Sequence, residues 1–578
     1  PAVAASASMS RLLLVVRTLV QLALIVLVAY LYAVENPAFF RILVLASAGF
    51  AVHALLPRAQ RLPFFVLLSW AGTFLVFGVR DALWLLGLGA GLIGIAWLPV
   101  SLRVRSITLI AVAVLLAIAR AGYLPVPWSA SVWPILGAMF MFRLWLFLLA
   151  TKAGAGVAPV PKDTQRGWWA AAYFFMLPNL MFPLYPVVDY QTFQRTWFDK
   201  DEAHIYEQGL VWVSRGIVHL LLYRFVYHNV IIDAESVQTL GDLLQFMLGT
   251  FLLYLRVSGQ FHLIVGLLHL FGFRLPETHK LYYLAHSFTE LWRRINIYWT
   301  EFMMKAVFYP TYFKVKQRGP QASLVISTVA VFVVTWLLHS YQWFWLRNGF
   351  PMTLQDFVFW GLLGVFVVHG AVRELNATKR AKPATGWNWR LGLQAATTFC
   401  IFCFLWSLWS TESVTQWVYM LGAATSVDLR GIVLLVGTFA VVFVLGSRDW
   451  NPAHAPKEGA LGFLLRPSTR ATATLLLLIA GMFLDAISIY FIFLPLLVPV
   501  APSSTTSEPW RLAATVAPHA PSAQTIAACH WLPNAELATY TLSFERTGFQ
   551  GGLQWYRCGL DDTNAQALMP YAGKTLDV

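Results

Sequence analysis

The sequence predicts an all-α polytopic membrane protein with roughly 11–15 membrane helices, some re-entrant or in-plane, and a short, incomplete soluble C-terminal tail. Three observations predict it. Of the 578 residues, 58% are hydrophobic and only 12% charged, against about 45–50% and about 25% in a soluble domain. The apolar residues fall in long continuous runs, which suit helices; a barrel would show weakly alternating segments of about ten residues. The net charge of +14 reads as basic loops on the cytoplasmic side. A clustered basic patch on a soluble domain is lacking, which argues against nucleic-acid binding.

Residues 10–150 form an N-terminal transmembrane scaffold of about six apolar runs of span length. They are punctuated by HALLPRAQRLP (53–63), FGVRDA (77–82) and LPVSLRVRS (98–106). The first run, 11–34, is too long for the apolar part of a signal peptide and reads as a first membrane helix. The chain opens on Pro1 and closes on Val578, and is read as a fragment at both ends.

Residues 151–450 carry the polar residues that a function needs. Three prolines between 178 and 186 forbid a straight helix, so 178–190 is expected to be a re-entrant turn or the lip of a cavity. The run Asp199, Lys200, Asp201, Glu202 and His204 reads as a solvated loop, since metal ligands usually come from two or more elements. Helices are expected over 209–231 and 242–272. Their histidines, His219, His228, His262 and His269, read as packed, hydrogen-bonded residues. Cys400 and Cys403 read as small core residues of an apolar helix. No metal site or disulfide framework follows.

The stretch 286–345 stands apart. Its first half mixes Trp, Tyr, Arg and Lys with Phe and Met, as suits the membrane boundary. An in-plane helix is expected over 286–300. At 100° per residue it places Trp292, Asn296 and Trp299 or Thr300 on one face, with Arg293 and Arg294 elsewhere. A polar loop (314–321) leads to a span over 322–346 containing His339. An ionisable group that deep in an apolar run is costly and marks a functional site. Further spans are expected over 355–374, 390–410 and 429–446, and the loop 374–389 is expected to be cytoplasmic.

Three segments in this order carry a resemblance: FPLYPVVDYQTFQRTW (182–197), FTELWRRINIYWTEFMMKAVFYP (288–310) and FVVTWLLHSYQWFWL (332–346), with RLGLQAATTFCIFCFLWSLWSTESV (390–414) as a closing helix. Over about 167–446 the chain resembles the membrane-bound O-acyltransferases, above all the bacterial branch with the D-alanyl-lipoteichoic and alginate O-acetylation proteins. The resemblance implies an enzyme of the inner membrane of a bacterium. It moves an acyl group from acyl-CoA or an acyl carrier protein to a hydroxyl of a glycan, lipid or small alcohol, with no bound cofactor. It implies His339 as catalytic base and Asn296 as its companion, where a histidine is common in the bacterial branch. Trp292, Arg293, Arg294 and Trp299 are expected to bind substrate. Arg293, Arg294, Lys314, Lys316 and Arg318 suit the donor's phosphates.

The C-terminal part departs from this pattern. Residues 460–500 are an additional hydrophobic element with Asp485 inside it. The stretch GMFLDAISIYFIFLPLLVP weakly resembles the large membrane subunit of TRAP-type dicarboxylate transporters, and a transporter is the alternative reading. Residues 501–525 read as a Pro/Ser/Thr/Ala-rich linker. Within 526–578, Arg546-Thr547-Gly548-Phe549 followed by Trp555-Tyr556-Arg557 resembles a fragment of the α/β-hydrolases of epoxide hydrolase and dehalogenase type. No nucleophile elbow precedes it, so the tail is expected to be an incomplete hydrolase, from a truncated fusion or an assembly artefact. A mosaic characterised by that tail is the third reading.

Overall fold

The structure is a computed structural model, and it describes residues 2–152, 163–177, 185–376, 387–448, 469, 471–476 and 478. The chain divides into two units, Pro1–Leu475 and Leu476–Val578. The account below concerns the first. The proline-rich stretch at 178–184, the element around Asp485, the linker and the hydrolase-like tail lie outside the described residues.

Among the described residues there is no strand, and ten helices are long and apolar enough to cross a membrane. The protein is an integral membrane protein, helical throughout its described secondary structure. The count of ten takes the 40-residue helix Arg58–Trp97 as one span and is of the described residues alone. In the scaffold, α1 (Ala2–Leu31), α2 (Pro37–Leu55), α3 (Arg58–Trp97) and α4 (Leu102–Arg120) are followed by α5 (Met141–Lys152). At 40 residues α3 would be about 60 Å long, twice the hydrocarbon thickness. It is not one straight rod: Gly78 adopts φ 73°, ψ 174°, inside the stretch read as punctuation. A side chain there would be strained. Counting the two arms of α3 separately restores the six expected runs.

After α6 (Asp163–Phe174) and α7 (Tyr190–Arg195), α8 spans Glu202–Asn229. The charged run before it is not a free loop. Asp201 caps α8 by accepting from the Ala203 amide at 3.1 Å. Glu202 pairs with the buried Arg61 at 2.9 Å, and Asp199 with Arg274 at 2.6 Å. The acids that looked merely solvated anchor the helix start to neighbouring elements.

The expected helix over 242–272 is two helices, α9 (Leu240–Leu252) and α10 (Leu255–Leu270), with Leu253 and Tyr254 between them. Helix α10 packs tightly along α8. A Cβ on Gly216 would stand 2.8 Å from the Gly259 carbonyl oxygen, and one on Gly259 would stand 3.0 Å from the Gly216 carbonyl oxygen. Small residues let the backbones approach, as is usual between membrane helices. Gly216→Ala is therefore expected to cost about 1–3 kcal/mol. Thermal unfolding of the detergent-solubilised protein checks this, and an unchanged midpoint would contradict the close packing.

The in-plane segment is likewise broken, into α11 (Phe288–Ile295) and α12 (Ile297–Met303), with the break at Asn296. The loop expected over 314–321 is mostly helical, since α13 (Tyr309–Val315) and a short turn lead directly into α14 (Pro320–Arg347). Helices α15 (Leu354–Asn376), α16 (Trp389–Ser410) and α18 (Leu429–Gly446) match the expected spans within a few residues. The short α17 (Val414–Ala423) joins the last two. An aromatic-rich core ties this half together, with Phe251, Phe332, Phe359, Trp360, Phe399 and Phe402 all buried. Cys403 is buried and Cys400 half-buried, both in α16.

A latch holds the front of α11 to the end of α18. His286 lies against Glu290 through Nδ1 at 3.1 Å, and its Nε2 donates to the Gly446 carbonyl at 3.1 Å. Both partners only accept, so the geometry suits the imidazolium, which donates from both nitrogens. The hydrogen bond to Glu290 raises the His286 pKa, burial opposes it, and the Glu290 charge and the Gly446 carbonyl add to the rise, while Arg294 lowers it. A group whose folded pKa is raised stabilises fully below its unfolded value of about 6.5 and loses that contribution as pH rises through the folded value. Unfolding midpoints from pH 5.5 to 8.5 are expected to fall with pH, by an amount worth about 1 kcal/mol. His286→Gln is expected to flatten that fall. Parallel profiles would remove the latch from the account.

Candidate functional site

A cavity of about 1020 Å³ lies where the α9–α10 junction and the α11–α12 break meet α14, α15 and α16. That is the top of the roughly 300–1,000 Å³ range of small-molecule sites. Four of the six expected site residues line it: Trp292, Asn296, Trp299 and His339. Tyr185 and Val187, just after the proline-rich stretch, also line it. Arg293 and Arg294 do not. Arg293 pairs with Glu374 of α15 at 2.7 Å, and Arg294 with Glu290 one helical turn earlier at 2.5 Å. The division by face is kept across the break at Asn296, with Trp292, Asn296 and Trp299 at the cavity and the two arginines elsewhere; it is as substrate-binding residues that the arginines do not reach the site.

Asn296 is the hinge of that break. Its backbone sits at φ −153°, ψ 87°, outside the helical region, and its Oδ1 accepts from the Trp299 amide at 3.1 Å. This is an N-cap, satisfying one of the orphan donors of α12. The cap also settles which end of the amide is which. The oxygen must face the Trp299 amide, so the NH₂ group points away from α12.

His339 lies about 28 Å along α14 from Pro320 and about 12 Å from its end at Arg347. Its Nδ1 donates to the Thr335 carbonyl at 2.8 Å. A carbonyl only accepts, so Nδ1 carries the hydrogen and Nε2 of the neutral ring keeps its lone pair. Two indoles hold the ring. Trp360 lies 4.7 Å away between centroids and Trp299 5.3 Å, edge-on. The Trp299 indole donates to the Thr335 hydroxyl at 3.3 Å. Thr335 is fully buried, so one residue fixes both the imidazole, through its carbonyl, and the indole, through its hydroxyl. Asn296, Trp299, Thr335 and His339 thus form one connected set.

The contrast with other histidines is instructive. His262 and His269 bond a carbonyl four residues earlier in the same way. Their Nε2 atoms, however, are sealed in the packing without a partner, whereas the His339 ring borders the cavity. His219 bonds the Ser258 hydroxyl at 2.9 Å. Those three histidines are packed residues, as expected; His228, in the last turn of α8, is exposed instead.

The sequence reading did not single out Asp356 and Tyr254, which also line the cavity. Asp356 accepts from the Trp409 indole at 2.6 Å, and from the amide and hydroxyl of Thr353 at the start of α15. Thr353 and Asp356 stand in the spacing of a capping box, a signal that was present in the sequence. Chemically, the lining brings an imidazole and an amide together among walls rich in aromatic side chains. No family model matches the chain, and no curated protein matches it.

Proposed function

We propose that this protein is a membrane-embedded O-acyltransferase, which moves an acyl group from a thioester donor to a hydroxyl acceptor. The observation that carries the reading is that His339 and Asn296, from separate elements, line the same cavity, with Nδ1 of the histidine committed to Thr335. The chemistry needs no cofactor. Nε2 of His339 takes the acceptor's hydroxyl proton as its oxygen attacks the thioester carbonyl carbon. The negative charge that develops on the carbonyl oxygen receives a hydrogen bond from the Asn296 amide. Collapse of the tetrahedral intermediate breaks the carbon–sulfur bond, and the thiolate leaves with the proton held on Nε2. The products are an ester and a thiol, and the enzyme returns to its starting protonation.

The aromatic walls suit an acyl chain and the apolar parts of both substrates. Acyl-CoA or an acyl carrier protein is the donor, and a glycan, lipid or small alcohol the acceptor. The location that goes with this reading is the inner membrane of a bacterium. Lys314, Lys316 and Arg318, exposed at the end of α14 remote from His339, suit the phosphates of a donor approaching from that face.

A transporter is the second reading, favoured by the broken α9–α10 pair beside the cavity. The test is incubation of the purified protein in lipid nanodiscs with labelled acyl-CoA and candidate hydroxyl acceptors. Label is expected in the acceptor. Vesicle uptake of an acceptor without ester formation would support transport instead.

A further inference from the structure

We infer that Tyr254 is a positioning residue for Asn296, its phenol holding the α11–α12 break in the geometry that turns the amide toward the cavity. What the amide then does rests on the acyl-transfer reading; how it is held does not.

Tyr254 lies between α9 and α10 and crosses to the α11–α12 break. Its hydroxyl donates to the Ile295 carbonyl at 3.0 Å. That carbonyl belongs to the last residue of α11, one of the acceptors a helix end leaves without an internal partner. A phenol has one proton, and Ile295 takes it. The contact of 3.1 Å between the phenol oxygen and His279 Nε2 must then run the other way, with Nε2–H donating. Neutral His279 is left with a bare Nδ1, which accepts from the Thr278 hydroxyl at 3.1 Å. The chain Thr278, His279, Tyr254, Ile295 therefore has one consistent direction, and both Thr278 and His279 are buried.

The backbone on the far side of the break is tied to the same segment. The Ile297 amide donates to the Thr278 carbonyl at 3.0 Å, and the Lys280 amide to the Arg294 carbonyl at 3.1 Å. The Tyr298 hydroxyl donates to the Pro276 carbonyl at 2.9 Å. Residues 276–280 thus brace both sides of Asn296, and Tyr254 supplies the one bond to Ile295 that this brace does not. Tyr254, at the α9–α10 junction, thus joins that pair of helices to the break between α11 and α12.

The test is Tyr254→Phe, which keeps the ring and removes the bond. Acyl transfer is expected to lose about tenfold in kcat with KM little changed, as a small misplacement of a catalytic group does. On an Asn296→Ala background the same substitution is expected to change kcat by less than about twofold, since its effect runs through that amide. A tenfold loss that persists on that background, or no loss in the single variant, would overturn the inference. Hydrogen exchange supplies a readout independent of activity. Amides 297–300 are expected to exchange about tenfold faster in Tyr254→Phe, with α14 unchanged. Unchanged exchange there would also overturn it. His279→Leu, which removes the donor behind the phenol, is expected to give the same exchange pattern and serves if Tyr254→Phe does not fold. If the wild-type protein transfers no acyl group at all, the acyl-transfer reading fails and exchange alone decides the positioning role.

Discussion

His339→Ala is expected to lower the rate of acyl transfer by about 10³-fold, with the protein still inserted in the membrane. A positioned general base contributes about 10²–10⁴-fold, so the loss corresponds to about 4 kcal/mol of transition-state stabilisation. Two effects compete in that variant. The ring is also a packing element between Trp360 and Trp299, and truncating it leaves space beside both. His339→Asn separates them. Its amide nitrogen stands close to where Nδ1 stands and keeps a donor toward the Thr335 carbonyl, but nothing replaces Nε2. If the base is what matters, the two variants are equally slow while the asparagine variant unfolds at the higher temperature. Transfer at more than a tenth of the wild-type rate in His339→Asn would remove the histidine from the chemistry.

The long spans were legible because each is an apolar run closed by a cap or a charged turn. Helix α16 begins where Asn388 accepts from the amides of Arg390 and Leu391, and α18 where the Asp428 side chain accepts from the Gly431 amide. The breaks were harder to read. Nothing between Phe251 and Arg256 breaks a helix by its own chemistry: there is no glycine and no proline. The junction at Leu253–Tyr254 is slight, both residues keeping right-handed helical dihedrals, and the Tyr254 bond to Ile295 beside it is a tertiary contact that no local pattern encodes. The break at Asn296 did leave a trace, since asparagine is a poor interior helix residue and a good cap. Treating 286–300 as one amphipathic helix passed over it. The two arginines were misjudged for a related reason. Their charge suggested a ligand, while Glu290 and Glu374 were available to satisfy it within the protein.

Asn296 carries two jobs on one side chain, and they can be measured apart. Its oxygen caps α12 and its nitrogen is the donor assigned to the oxyanion. Asn296→Ala loses both. The lost cap is expected to cost about 1 kcal/mol of stability, and the lost donor to slow transfer by about 10²-fold or more. Asn296→Asp keeps an oxygen for the Trp299 amide, and its negative charge is favourable at a helix N-terminus, so this variant is expected to be at least as stable as the wild type. It has no amide proton to offer, and it sets a negative charge near a developing one. Its rate is therefore expected to be no higher than that of the alanine variant. Stability should rank aspartate with asparagine above alanine, and rate should rank asparagine far above both. A variant series in which rate simply follows the unfolding midpoint would mean that the amide only shapes the break. The oxyanion would then need a different donor.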